Sequence, residues 1–312
     1  MMMMLWVSDA YLGYNVGTGQ MSVRVPDDTW MQWMTTATMM EPTGPHLKYY
    51  WRDVDQVRAQ RDRWGNETTC IVAVQNEELP LTLEMSRRIL DVFFSWSPHP
   101  IKAFAIGNEA DAGMTPLEFS GRVLTSLRVF HEAILERGER VGSGQMMVST
   151  PITLRMFDWE ALVSPTTEWQ QVLYDLVTFL VASDSPFMIN VYPYLSWQGH
   201  PDMYSLEHAL TGLFQHHVDR ISEILRDVVR TLSLDRPPPL WITETGWSTE
   251  GAEGATLDNA YRYWKSTQDF VVTHPTIPVY WFEWIDEDLK PGSTDEHHYG
   301  VYTHYGASKF PA

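Results

Sequence analysis

Eight short apolar runs alternate with longer segments of helical spacing along the chain, and this alternation constrains the fold more than any other feature. The runs are Leu12–Val16, Leu47–Trp51, Thr69–Val74, Ala103–Ile106, Met146–Ser149, Phe187–Val191, Leu240–Thr243 and Val279–Phe282. Between them, Thr29–Thr36, Val54–Arg63, Leu81–Phe94, Pro116–Arg137, Glu168–Val181, Leu206–Leu232 and Thr256–Val272 carry apolar residues at helical intervals. Thr115 before Pro116 reads as a capping hydroxyl followed by a first-turn proline, and Asp53 as the cap of the Val54 helix. Strand and helix in strict alternation predict a parallel sheet. Eight units over 312 residues give roughly 39 residues each, slightly generous for a barrel of about 250 residues. The rival, an open doubly wound sheet, lacks its glycine-rich phosphate loop after the first run. The expected fold is therefore an α/β (β/α)8 TIM barrel, one domain over residues 1–312. The Gly-, His- and Tyr-rich stretch after Phe282 predicts an eighth helix that is short or irregular.

Charge narrows the partners. With 22 Lys+Arg against 40 Asp+Glu the net charge is −18, a field that repels phosphate backbones and anionic membrane surfaces. Nucleic acid and membrane are excluded as expected partners, and no apolar run is long enough to span a bilayer. The single cysteine, Cys70, cannot pair within the chain and reads as a small buried hydrophobe in the third strand. Met1 to Met4 precede only Leu5, Trp6 and Val7 before Ser8 and Asp9, so no secretory leader is legible. That suits either an intracellular chain or a mature form. One glycosylation sequon, Asn66-Glu67-Thr68, matters only in a secreted setting.

Aromatics are plentiful: 14 Trp, 14 Tyr and 12 Phe. A core accounts for most of them. The remainder could serve as flat apolar platforms with polar tips for a neutral ring such as a sugar.

In a barrel of this kind reactive groups sit at the C-terminal ends of strands. The fourth run ends Gly107-Asn108-Glu109, the sixth Asn190-Val191-Tyr192-Pro193-Tyr194, the seventh Glu244-Thr245-Gly246-Trp247. The eighth continues through Phe282-Glu283-Trp284 to Asp286-Glu287-Asp288-Leu289-Lys290. Glu109 and Glu244 thus face each other nearly across the barrel mouth. Either glutamate alone could merely cap a helix or pair with an arginine. Two facing carboxylates, one protonated to release a leaving oxygen and one ionised to attack an anomeric carbon, are what glycoside cleavage requires. A separation of about 5 to 5.5 Å would mark a covalent, retaining route.

These motifs resemble the acid/base and nucleophile motifs of clan A glycoside hydrolases, and most closely glycoside hydrolase family 17. That family comprises endo-β-1,3-glucanases and β-1,3-glucanosyltransferases. The likeness rests on Gly107–Glu109, Asn190–Tyr194, Glu244–Trp247, Asp286–Gly292 and Glu296–Tyr302, with Gly13–Asn15 and Leu47–Tyr50 upstream. It implies Glu109 as general acid/base and Glu244 as nucleophile, with no cofactor and no metal. By the same resemblance Asn108 would bond the sugar 2-hydroxyl, while Tyr192 and Tyr50 would line the same subsite. Glu287 and Lys290 match a charged pair at the cleft edge, though they could equally be a solvated surface ion pair. Trp247, Phe282 and Trp284 would offer stacking faces unless strand alternation turns them into the core. The implied substrate is a β-glucan oligo- or polysaccharide, and the implied location extracellular or at a cell wall. A monomer is the expectation.

After the fifth run the chain reads Ser149-Thr150-Pro151-Ile152-Thr153-Leu154, unlike the Ser-Tyr-Pro-Pro-Ser segment of plant members. Plant-type cleft length and endo action do not carry over. Hydrolysis and sugar transfer share a first step and stay undecided. Two other readings stand beside this one: the same barrel acting on another β-glucan or mannan, and a non-catalytic sugar-binding barrel. Glu296-His297-His298 with His304 matches no zinc spacing, and His216-His217 reads as a helix face.

Overall fold

A computed structural model describes residues 12–16, 46–52, 55, 57–58, 62, 69–94, 101–138, 140–141, 144–157 and 167–310. The Thr29–Thr36 helix, the Asp53 cap, most of Val54–Arg63 and the Asn66–Thr68 sequon lie outside the described residues.

Nine strands make one parallel sheet: β1 (Leu12–Asn15), β2 (His46–Tyr50), β3 (Thr69–Val74), β4 (Ile101–Ile106), β5 (Met147–Ser149), β6 (Pro151–Ile152), β7 (Phe187–Asn190), β8 (Leu240–Thr245) and β9 (Val279–Trp281). Their order is β5-β4-β3-β2-β1-β9-β8-β7-β6. Only Thr150 separates β5 from β6, so these two ends of the sheet are halves of one stave. β5 pairs with β4 and β6 with β7, which closes eight staves into a barrel. This is the TIM barrel that the alternation predicts. The expected fifth strand runs on past a break, and the seventh extends to Thr245.

Alternation along the strands builds two cores. Cys70, Val72 and Val74 turn outward to the helices, while Ile71 and Ala73 turn inward with Ala103, Ala105, Met188, Trp241 and Tyr280. Full burial pushes the Cys70 thiol well up, as a small hydrophobe rather than a nucleophile requires. The outer layer includes α1 (Leu83–Phe94), α2 (Thr125–Arg137), α3 (Gln170–Ala182), α4 (Pro193–Gly199), α5 (Leu206–Thr211), α6 (Leu213–Thr231) and α7 (Leu257–Thr273). The predicted Pro116–Arg137 helix forms as one turn capped by Thr115, a π-helical segment at Ser120–Leu124, and α2. Gly212 divides the predicted Leu206–Leu232 helix. Beyond β9 only a 3-10 turn, Thr294–His297, is helical among the described residues, as expected for the irregular eighth unit. No helix among them is long and apolar enough to cross a membrane.

Candidate active site

Glu109 follows β4 and Glu244 lies within β8. Gly107 sits at φ +77°, and a Cβ there would meet the Asn76 side-chain oxygen at 2.8 Å, so only glycine allows the chain to turn this closely. Glu109 itself adopts a left-handed backbone, φ 51°. A strained non-glycine residue is held only where its surroundings over-determine it. Here the Asn76 side chain accepts from the Asn108 N–H at 2.9 Å and donates to the Asn108 carbonyl at 2.7 Å. The Glu109 N–H donates to the Pro151 carbonyl. Asn76 is in turn set by Arg122, from the π-helical segment, which donates to the Asn76 and Leu79 carbonyls.

The β7–β8 pairing shifts register between Ile242 and Glu244. This irregularity lets Thr243 and Glu244, adjacent in sequence, both reach interior groups. Thr243 donates to Asn190 Oδ1 at 2.7 Å, and Asn190 Nδ2 donates to Glu109 Oε1 at 2.9 Å. Glu244 accepts from Lys48 Nζ at 2.6 Å and from the Tyr192 hydroxyl at 2.8 Å. Lys48 also donates to Asn108 Oδ1 at 3.1 Å. The two carboxyl groups are thereby joined through Lys48, Asn108 and Asn190.

Their environments differ. Burial first, and the Glu244 charge second, raise Glu109 to about 7, so it holds its proton near neutrality. Glu244 meets a cation and a hydroxyl, both donors to a carboxylate. Burial, then the charges of Glu244 and Glu109, push Tyr192 well above the phenol range, which keeps it a donor.

Both glutamates open on a cleft of about 610 Å³ that Lys48, Tyr50, Asn108, Tyr192, Phe282, Glu287 and Lys290 also line. Phe282 lies under Lys290, whose Nζ is 4.2 Å from the ring centroid. The reading of Glu287 and Lys290 as a solvated surface ion pair needs correction, since both line the cleft. Lys290 forms its ion pair with Glu296 at 2.8 Å, and Glu287 is buried at the cleft wall rather than solvated. Trp247 and Trp284 are also corrected. Both are core residues: Trp247 packs on Tyr194 and Trp197 and donates to the Gly254 carbonyl, and Trp284 packs on Tyr14 and Tyr302. Neither lines the cleft.

Sequence reasoning missed Lys48, Asn76, Asn190 and Glu296 as site residues. Strand period could have found Lys48, since it stands two residues before Tyr50 on the same face. Among the described residues no three His, Cys, Asp or Glu side chains are placed to hold a metal ion.

The fold is a parallel barrel with two glutamates in its cleft. Residues 101–311 match the profile of glycosyl hydrolases family 17, and the chain belongs to that family. It is 27% identical over 238 residues to glucan endo-1,3-beta-glucosidase 11 of Arabidopsis thaliana, covering 67% of this chain and 55% of that protein. It is 26% identical over 227 residues to a glucan endo-1,3-beta-glucosidase of Vitis vinifera, covering 66% and 64%. The chain thus spans between about half and two thirds of the length of these relatives. Its fold is that of CJP38, a beta-1,3-glucanase and allergen of Cryptomeria japonica pollen. That likeness has a TM-score of 0.76 at 22% identity over 96% of this chain and 98% of the other. It is also similar to an active-site mutant of Rhizomucor miehei beta-1,3-glucanosyltransferase in complex with laminaritriose. There the TM-score is 0.63 at 15% identity over 96% of each chain.

Proposed function

We propose that this barrel, one catalytic domain over residues 1–312, cleaves β-1,3-glucan by double displacement with retention. The observation that carries the reading is the asymmetry of the two glutamates. Glu109 is half-buried and holds its proton to about 7, while Glu244 receives Lys48 and Tyr192. Glu244 attacks the anomeric carbon as Glu109 gives its proton to the departing glycosidic oxygen, leaving a glycosyl ester on Glu244. Glu109, now ionised, takes a proton from the incoming hydroxyl as that oxygen displaces Glu244. Water as the incoming group yields a shortened glucan, and a sugar hydroxyl yields a transferred chain. Lys48 and Tyr192 fix the nucleophile, and Asn108, held by Asn76 and Lys48, lies beside the acid to receive the sugar 2-hydroxyl. Tyr50 and Phe282 supply cleft-facing rings. The choice of β-1,3-glucan rests on family membership and on the names of the relatives, and an extracellular or cell-wall location on the family resemblance alone.

Product analysis on laminari-oligosaccharides of defined length tests this reading. Shorter products mean hydrolysis, and products longer than the substrate mean transfer. Mannan or cellulose cleaved with laminarin untouched would overturn the substrate assignment. Binding without turnover would make the barrel a sugar-binding one.

A further inference from the structure

Lys309 is a buried cation that the proposed reaction leaves unused. It belongs to the segment 303–310, which folds back on the loop after β9. Tyr302 and Ser308 form an antiparallel bridge, and the Lys309 N–H donates to the Val301 carbonyl at 2.9 Å. Phe310 packs its ring on Tyr261, Trp264 and Trp281. The Lys309 side chain is only 8% exposed. Its Nζ donates to Asp286 Oδ1 at 2.6 Å, to Thr249 Oγ1 at 2.8 Å and to the His298 carbonyl at 3.1 Å. An ammonium has three protons to give, and each meets an acceptor. One side chain thus ties the loop after β8, at Thr249, to two points of the loop after β9, Asp286 and His298.

The ion pair grips the chain on both sides of Tyr299. Lys309 holds the His298 carbonyl before it, and Asp286 Oδ1 accepts from the Gly300 N–H after it at 2.9 Å. A Cβ at Gly300 would meet the Asp286 nitrogen at 2.2 Å, so only glycine lets the two segments lie this close. The Tyr299 carbonyl accepts from the Glu283 N–H at 3.2 Å. Tyr299 is buried, lines the cleft, and has no hydrogen-bond partner for its hydroxyl among the described residues. Its place is therefore set by its backbone and by ring contacts. Those contacts are edge-to-face, with Phe282 at 5.7 Å and Tyr192 at 6.1 Å between centroids.

We propose that the Lys309–Asp286 pair sets Tyr299, and through its ring Phe282, as the aromatic wall of the sugar cleft. Lys309 is thus a positioning residue, in a reading that rests on the cleft being a glucan site. Tyr192 keeps its own bond to Glu244, so the nucleophile is held independently of this pair.

Two variants and two readouts separate positioning from folding. Lys309→Met takes the donor from three acceptors and leaves Asp286 a buried, unpaired charge. Lys309→Met/Asp286→Asn strands no charge, and the amide oxygen can still accept from Gly300. A role in folding alone lowers the amount of folded enzyme, hence kcat per mole of protein, and leaves KM unchanged. Release of the wall should instead raise KM for laminari-oligosaccharides about tenfold in the double variant, with kcat within about threefold of native. The second readout, hydrogen exchange, needs no substrate. Peptides covering 296–302 should exchange at least about fivefold faster in the double variant, while those of β7 and β8 keep native rates. A native KM, native exchange over 296–302, or a double variant that does not fold would each overturn the proposal, since the pair would then serve the fold alone. Should native protein leave every glucan untouched, the glucan reading fails and the exchange comparison still judges the hold on Tyr299. A Lys309→Met variant that fails to fold leaves the double variant decisive.

Discussion

The ammonium of Lys48 lies 2.6 Å from Oε1 of Glu244, with their side chains only 4% and 9% exposed. A buried ion pair adds little net stability, but removing one partner strands the other and typically costs about 3–5 kcal/mol. Natural chains retain such pairs where the geometry is used. Here the lysine also holds Asn108, so a single cation orients Glu244 and the residue next to Glu109.

Lys48→Met should therefore lower kcat/KM on laminari-oligosaccharides by at least about 100-fold, equivalent to about 2.7 kcal/mol of transition-state stabilisation. Lys48→Arg, which keeps the charge, should recover part of it. Steady-state kinetics alongside circular dichroism separates this from unfolding. A folded Lys48→Met protein with native activity would contradict the role.

Glu109 predicts the alkaline limb of activity. In the proposed reaction its proton goes to the leaving oxygen, and it is lost as pH rises through about 7, so kcat/KM should decline above that value. The same shift affects stability. The folded pKa is raised from 4.5 to about 7, so the stability contribution is complete below 4.5 and disappears as pH rises to about 7. Glu109→Gln should abolish turnover and flatten the thermal midpoint over that window. An unchanged midpoint profile would show that Glu109 titrates normally.

Phe282→Ala and Trp247→Ala should fail in different ways. Phe282 lines the cleft under Lys290, so its loss should raise KM and leave the thermal midpoint nearly unchanged. Trp247 is fully buried, and removing a core aromatic of this kind costs about 3–5 kcal/mol. Differential scanning calorimetry and KM on both variants give the comparison, and the reverse pattern would put Trp247 rather than Phe282 at the sugar.

The barrel and the two glutamates were legible because each leaves a local mark: an apolar run, then a polar residue at its end. Lys48 leaves no such mark. Strand period puts it on the Tyr50 face, but its burial depends on a carboxylate 196 positions away. Trp247 and Trp284 show the opposite failure. Large aromatics just past strand ends resemble platforms, but Trp247 stands three residues beyond Glu244 and packs outward against α4 and α7. Trp284 follows Phe282 by two, yet β9 has ended at Trp281, so alternation no longer assigns its face. Glu296 was read only as part of the closing Glu296–Tyr302 motif and with its histidine neighbours, and its pairing with Lys290 comes from the 3-10 turn at Thr294–His297.

His217 carries a prediction away from the cleft. Its ring is fully buried with neither nitrogen hydrogen-bonded, and burial, then His216 and His208, lower its pKa to about 3. Folding keeps the ring neutral, so stability is full above 6.5 and lost as pH falls toward 3. His217→Leu should raise the thermal midpoint at neutral pH, since it removes two unpartnered buried atoms, and the gain should widen at pH 5. A lower midpoint at both pH values would mean that the imidazole is held by a polar partner.

Covalent trapping of the sugar tests the double displacement most directly. Incubation with a 2-fluoro-substituted β-glucosyl or laminaribiosyl donor slows the second step, so the glycosyl-enzyme accumulates and can be located by peptide mass mapping. The expected result is one added sugar on the peptide bearing Glu244, absent from Glu244→Gln. A label on Glu109, or active enzyme that turns the donor over and never carries a label, would contradict the assignment of Glu244 as nucleophile.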